Sequence, residues 1–267
     1  MSLGCTDKVH VQTQVSGDPS APWQAVLEQV TTEQGVDYPL LARNLPTLEN
    51  FLAWVAGHGP ETDLMKESQE DKRLSFLLNA YTAAVLYGTL RLGPPHSLQD
   101  VELGLLHRGV EGFHTGQRFR IDGEWVSLAV LRDELLLGRF QEPLIHVALP
   151  LSSQGGPPVR WWPEKRTQQS LERAMVDFLD SDRGMLRDGD DWRVSEWVLW
   201  HARDFVEWSE ARDLCDWLGN HVTGERGAWV DELEGCDLPS FAFSWAMDQA
   251  PADVPPEEPG PSKAVDP

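Results

Sequence analysis

Between Asp71 and Leu92 apolar residues recur with the period of an α-helix. Leu74, Leu78, Tyr81 and Val85 fall at i, i+4, i+7 and i+11, and Leu77 and Leu86 widen the stripe. Gly93-Pro94-Pro95 stops it. This is the strongest helix of the chain, and any fold must cover its stripe with further layers. Helices also precede it. Trp23, Val26, Leu27 and Val30 share one face before Gly35, and Leu48, Phe51, Leu52 and Val55 share another before Gly57 and Gly59. After it, Ser97 is placed to cap a short helix through Val101 and Leu105.

The second half changes character. Phe119-Arg120-Ile121 and Glu124-Trp125-Val126 flank Asp122-Gly123, the signature of a hairpin with a type I′ turn. Ser127 caps a helix holding Leu128, Leu131 and Leu135. Ile145–Leu149 is a buried strand or a short helix, between which periodicity does not decide. A helix follows from about Thr167 to Leu179, with Leu171, Met175, Phe178 and Leu179 on one side. A second hairpin is expected across Met185–Val194, with Ser195 capping the next helix, and Phe241–Met247 reads as a last strand. Helices first and short strands among helices later imply an α+β fold with a small antiparallel sheet. Residues 1–20 read as a flexible lead-in, 21–249 as a single domain, and 250–267 as a disordered tail rich in proline and acid.

Composition limits the partners. The 267 residues, 41% hydrophobic, suffice for a sizeable core. The net charge of -21, from 43 acidic and 22 basic residues, argues against a nucleic-acid backbone or an anionic membrane surface as partner. The acidity reads as solubility or adaptation to salt. The 12 tryptophans read first as core filling, with a binding groove as the alternative. Cys5, Cys215 and Cys236 match no zinc spacing and no disulfide framework. Cys215 is expected to be a buried free thiol, with a Cys215–Cys236 bridge as the alternative. No run of 18 apolar residues is present, so no transmembrane helix is expected. The start MSLGCTD resembles the cleavage box of a bacterial lipoprotein without its basic and apolar regions. The expected location is cytoplasmic, or extracytoplasmic with an anchor at Cys5 if translation begins further upstream.

Several blocks, in order, resemble one family of bacterial and plant proteins, the domain of unknown function 547. They are GVDYPLL at Gly35–Leu41, FLLNAY at Phe76–Tyr81, SLQDV at Ser97–Val101, and the hairpin and helix DGEWVSLAVLRDELL. EPLIHVAL at Glu142–Leu149, VSEWVLWHARDF at Val194–Phe205 and FSWAMD at Phe243–Asp248 complete the series. The resemblance implies a papain-like or transglutaminase-like fold of the kind that hosts cysteine hydrolases. It also exposes departures. After the histidine that matches His146, the family pattern has Asn-Cys, a few small or polar residues, and Cys-Pro. Here the two cysteine positions hold Leu151 and Gly156, and an Ile-Glu-His element upstream is Leu131-Arg132-Asp133. A thiolate attacks because sulfur is strongly nucleophilic and a neighbouring His lowers its pKa. Neither leucine nor glycine supplies one.

Several residues are candidates for a site. His146 is either a surviving base or a buried structural histidine. Ser153, or Ser152, could replace the lost thiol, with His146 as base and Asp133 orienting it. Asn79, polar in an apolar run, either bonds a loop backbone or lines a ligand cleft with Ser152 and Gly156. His201 and Asp204, at i and i+3, are a candidate pair on one helix face, without a third metal ligand. The acidic turns Asp180–Asp182 and Asp188–Asp191 read as solvated turns. No metal or cofactor is expected, and the partner class is an unidentified small molecule or peptide. The expected role is a catalytically inactive relative acting as a binding or structural module. The alternative is a hydrolase or acyl-transferase using a serine.

Overall fold

The computed structural model describes residues 7–11, 15, 17–60, 70–103, 107–189 and 191–251. The Cys5 anchor, Leu105, Asp190 and the tail beyond Pro251 lie outside the described residues. The first half is helical: α1 (Ser20–Val30), α2 (Tyr38–Arg43), α3 (Leu45–Gly57) and α4 (Glu70–Arg91). The expected faces of α1 and α3 are the buried ones. Every residue of α4 from Leu74 to Thr89 is buried, so other elements cover the helix on all sides. It packs against α3, α8 (Thr167–Leu179) and a turn of π-helix at Leu131–Leu137.

A two-residue strand at Asp7–Lys8 (β1) pairs parallel with β4 (Gln117–Ile121), and Val9 beside it is buried. Part of the expected N-terminal lead-in is therefore tied to the core through Val9. β4 pairs antiparallel with β5 (Glu124–Ser127) across Asp122-Gly123. Both turn residues have positive φ, 51° and 86°, as a type I′ turn requires. The Ser127 hydroxyl accepts from the Val130 amide at 3.2 Å and starts the short helix α6 (Leu128–Val130). α6 runs into the π-turn and then into α7 (Gly138–Phe140). Before β4 lies α5 (Gly109–Gly116), and the Ser97 cap begins only a single 3₁₀ turn, Leu98–Asp100.

After α8 the second hairpin forms as expected from β6 (Met185–Asp188) and β7 (Asp191–Ser195). Ser195 caps α9 (Glu196–Trp200), followed by α10 (Ala202–Glu207), α11 (Leu214–Gly219) and α12 (Gly224–Glu232). The architecture is mixed α and β, but the sheet differs from expectation. Among the described residues three small sheets replace one: β1-β4-β5, the pair β2 (Thr31–Thr32) and β3 (Gly35–Val36), and β6-β7 with β8 (Ser240–Phe241). Two of them carry a parallel edge strand. The expected last strand shrinks to β8 (Ser240–Phe241) plus isolated bridges at Ala246 and Met247. Its backbone is spent instead on binding loops. Met247 N–H donates to His96, Asp248 N–H to Ser152, and Val36 N–H to the Asp248 carbonyl.

Cys215 and Cys236 form a disulfide, which corrects the expectation of a free thiol. Cys215 sits on α11 only half-buried, so helix position alone did not sequester it from its partner. Trp23, Trp162, Trp197 and Trp217 are the largest fully buried side chains, while Trp200 is 47% exposed. Among the described residues no helix is long and apolar enough to cross a membrane.

Candidate functional site

His146 lies on a 3₁₀-helix, Pro143–Ala148, which resolves the strand-or-helix ambiguity of this stretch. Pro143 suits the first turn, and the Glu142 carboxylate accepts from the Leu144 amide at 3.0 Å. All six residues are buried, His146 at 4% exposure. Its Nε2–H donates to Asp204 Oδ2 at 2.9 Å, from the first turn of α10. The ring stacks on His201 at 3.9 Å between centroids, with Phe205 edge-on at 5.7 Å and Trp208 parallel at 6.2 Å.

Burial holds His146 down to about pKa 4, with the Arg132 guanidinium pushing the same way and Asp133 opposing. His201 falls to about 3 through burial, then His146 and Arg132, against Asp204. Burial raises the Asp204 carboxyl, against the pull of His201 and Arg203. At neutral pH the two rings are thus a stacked, uncharged pair, and the Asp204 carboxylate accepts the hydrogen bond from His146 Nε2–H. An Asp–His couple of this kind fixes the tautomer of a general base. It needs a nucleophile at the other ring nitrogen to do chemistry.

His201 and Asp204 do not sit on one helix: His201 is the junction between α9 and α10, and Asp204 bonds His146 instead. Asp133 does not orient His146 either. Its carboxylate takes the fork of Arg132, at 2.5 and 2.9 Å, on the π-turn. Arg132 also influences a second buried pair. Tyr81 O–H donates to His114 Nε2 at 3.2 Å, and His114 Nδ1–H donates to the Val110 carbonyl at 2.8 Å. Burial lowers His114 to about 4, and raises Tyr81 above its ordinary value.

The serines lie in different company. Ser152 adopts φ 49°, in the left-handed region that a non-glycine residue rarely takes. Its hydroxyl accepts from Tyr38 O–H at 3.4 Å and shares a hydrogen bond with Thr89 at 3.3 Å. Tyr38 is held up to about pKa 12, mainly by burial. Ser153 is 1% exposed, and among the described residues its Oγ has no hydrogen-bond partner, His146 included. Gly156 donates to the Ser153 carbonyl at 3.0 Å, and its own carbonyl accepts from Arg183 at 3.1 Å. Arg183 in turn forks onto the buried Asp248, at 2.9 and 3.1 Å. Gln154 and Gly155 donate to the Ala246 and Ser244 carbonyls. The C-terminal segment therefore straps the whole 152–156 loop to the body.

Asn79 is in a third place. Its amide donates to the Trp162 carbonyl at 2.7 Å and accepts from the Trp162 N–H at 2.9 Å. Ser75 reinforces the clamp with a 2.8 Å bond to the same carbonyl. Asn79 thus satisfies the backbone of the extended segment before α8, and also borders a small cavity with Trp54 and Trp161.

His146, Ser152 and Asn79 are therefore each held by their own partners rather than by one another, and among the described residues Ser153 Oγ bonds to none of them. Sequence reading missed Asp204 as the partner of His146, the Tyr38–Ser152–Thr89 cluster and the Arg183–Asp248 fork. These partners are 58, 114, 63 and 65 residues apart, beyond any local spacing signal. Among the described residues the one metal-like grouping is Asp213, Cys215 and Cys236, whose sulfurs are already bonded to each other. Residues 65–179 match the model of a family described as a protein of unknown function, DUF547. No curated protein and no solved structure matches the chain.

Proposed function

We propose that this chain, which belongs through residues 65–179 to the DUF547 family, is a catalytically inactive member that works by binding rather than by turnover. One observation carries the proposal: among the described residues no serine or cysteine side chain hydrogen-bonds the His146 ring. Its Nε2 is committed to Asp204, Ser152 Oγ to Tyr38 and Thr89, and Ser153 Oγ bonds nothing. The family resemblance implies that Leu151 and Gly156 stand at cysteine positions. Burial of both serines under the Ser244–Asp248 strap argues the same way, because a substrate carbonyl must reach the attacking oxygen.

The proposal keeps the papain-like or transglutaminase-like scaffold, supported by a helical first half ahead of short strands set among helices. The disulfide supports an oxidising compartment for the chain. Steady-state hydrolysis of p-nitrophenyl acetate and of a peptide anilide tests inactivity. Wild type and His146→Ala are expected to give the same rate. Turnover that disappears in His146→Ala overturns the proposal. The serine-hydrolase alternative draws on the unpartnered Ser153 Oγ, and predicts that Ser153→Ala abolishes the same turnover.

A further inference from the structure

A cavity of about 420 Å³ lies between the tip of the β4–β5 hairpin, α4 and the π-turn, within the size range of small-molecule sites. Pro60, Leu77, Ile121, Val126 and Leu135 line it, all of them aliphatic. No aromatic ring stands among its described lining residues, so nothing there would stack on a planar ligand. No hydroxyl or amide side chain stands there either, so nothing would read a polar body. The one cation among them is Arg139, exposed and without a carboxylate partner among the described residues.

The chain takes an uncommon backbone to place this pair of features. Leu131–Leu137 is a π-helix, a rare conformation that recurs at functional sites. The wider turn sets Leu135 and, four residues on, Arg139 on the same side, facing the cavity. The hairpin tip is held by the Asp122 and Gly123 amides, which donate to the Val55 and Ala56 carbonyls at 2.8 and 3.0 Å. Asp122 and Glu124 border the cavity at that tip and repel an anion there.

We infer that this cavity binds a single-chain aliphatic carboxylate, with its chain among the aliphatic walls and its head on Arg139. An apolar chain gains by leaving water, each buried methylene contributing in proportion, and the carboxylate gains a charge-assisted bond to the guanidinium. The site is distinct from the His146 cluster, so the inference stands or falls independently of the inactivity of that cluster.

Calorimetric titration of the full-length chain with decanoate at about pH 8, where the acid is fully ionised, tests this. Neutral 1-decanol is the comparison. Wild type is expected to bind decanoate below its aggregation concentration. Arg139→Gln should weaken decanoate about tenfold and leave decanol unchanged, the loss expected for one charged hydrogen bond. Leu135→Trp, and independently Val126→Phe, should abolish binding of both by filling the cavity, with folding checked by circular dichroism. Absence of decanoate binding to folded wild type overturns the inference. So does binding that survives both filling variants, or an Arg139→Gln loss that is equal for acid and alcohol.

Discussion

Burial decides the charge of the histidines, and that charge has a thermodynamic consequence. His146 and His114 are held down to about pKa 4 and His201 to about 3, whereas the ordinary value is 6.5. Unfolding returns each ring to water and to that value. Below about pH 6.5 the unfolded chain therefore binds more protons than the folded one, and stability falls as pH falls toward 4. Each ring adds about 1.4 kcal/mol per pH unit to the slope inside its window. His201→Phe keeps an aromatic ring against His146 and removes one titrating group. Urea unfolding across that pH range should show a slope shallower by about one proton, while parallel curves would contradict the assignment. Asn79 offers a second residue-scale prediction. Asn79→Ala leaves the Trp162 N–H without its acceptor in a buried place and removes one of the two donors to the Trp162 carbonyl, and should cost roughly 2–3 kcal/mol in urea unfolding. A loss under about 0.5 kcal/mol would mean that the clamp is dispensable.

At the scale of elements, glycine close to backbone sets one sharp requirement. A methyl group on Gly184, between α8 and β6, would lie 2.4 Å from the Phe178 carbonyl oxygen. Gly184→Ala should therefore displace the β6–β7 hairpin and lower the unfolding free energy by roughly 2–3 kcal/mol. Unchanged stability would show that the hairpin can shift freely. The hairpins and the long helices were legible in the sequence because local chemistry dictates them. Asp122-Gly123 must turn as type I′, and the stripe from Leu74 to Leu86 must face other layers. The 3₁₀-helix at His146 and the π-turn at Leu131–Leu137 were not legible. Both are short departures from α geometry that tertiary contacts select, and no residue pattern announces them. The Phe241–Met247 strand failed for a related reason. Alternating residues there predict a strand, but the backbone bonds loops on the Ser97, Ser153 and Val36 sides rather than one neighbouring strand.

For the whole molecule, the partners that hold the candidate site come from parts of the chain far apart, and that is why the site was only half legible. His146 was marked by its apolar surroundings, but nothing near it in sequence points to Asp204. The Cys215–Cys236 disulfide is a second long-range tie, closing a loop across a separation of 21 residues. A loop of that size is worth about 3 kcal/mol by chain entropy. Reduction with dithiothreitol should lower the urea midpoint accordingly, and an unmoved midpoint would show that the bridge contributes nothing. Intact-mass labelling of the folded chain with a fluorophosphonate probe shows whether His146 activates a serine. No adduct is expected on wild type or on His146→Ala. A single adduct that maps to Ser152 or Ser153 and disappears in His146→Ala would contradict that expectation.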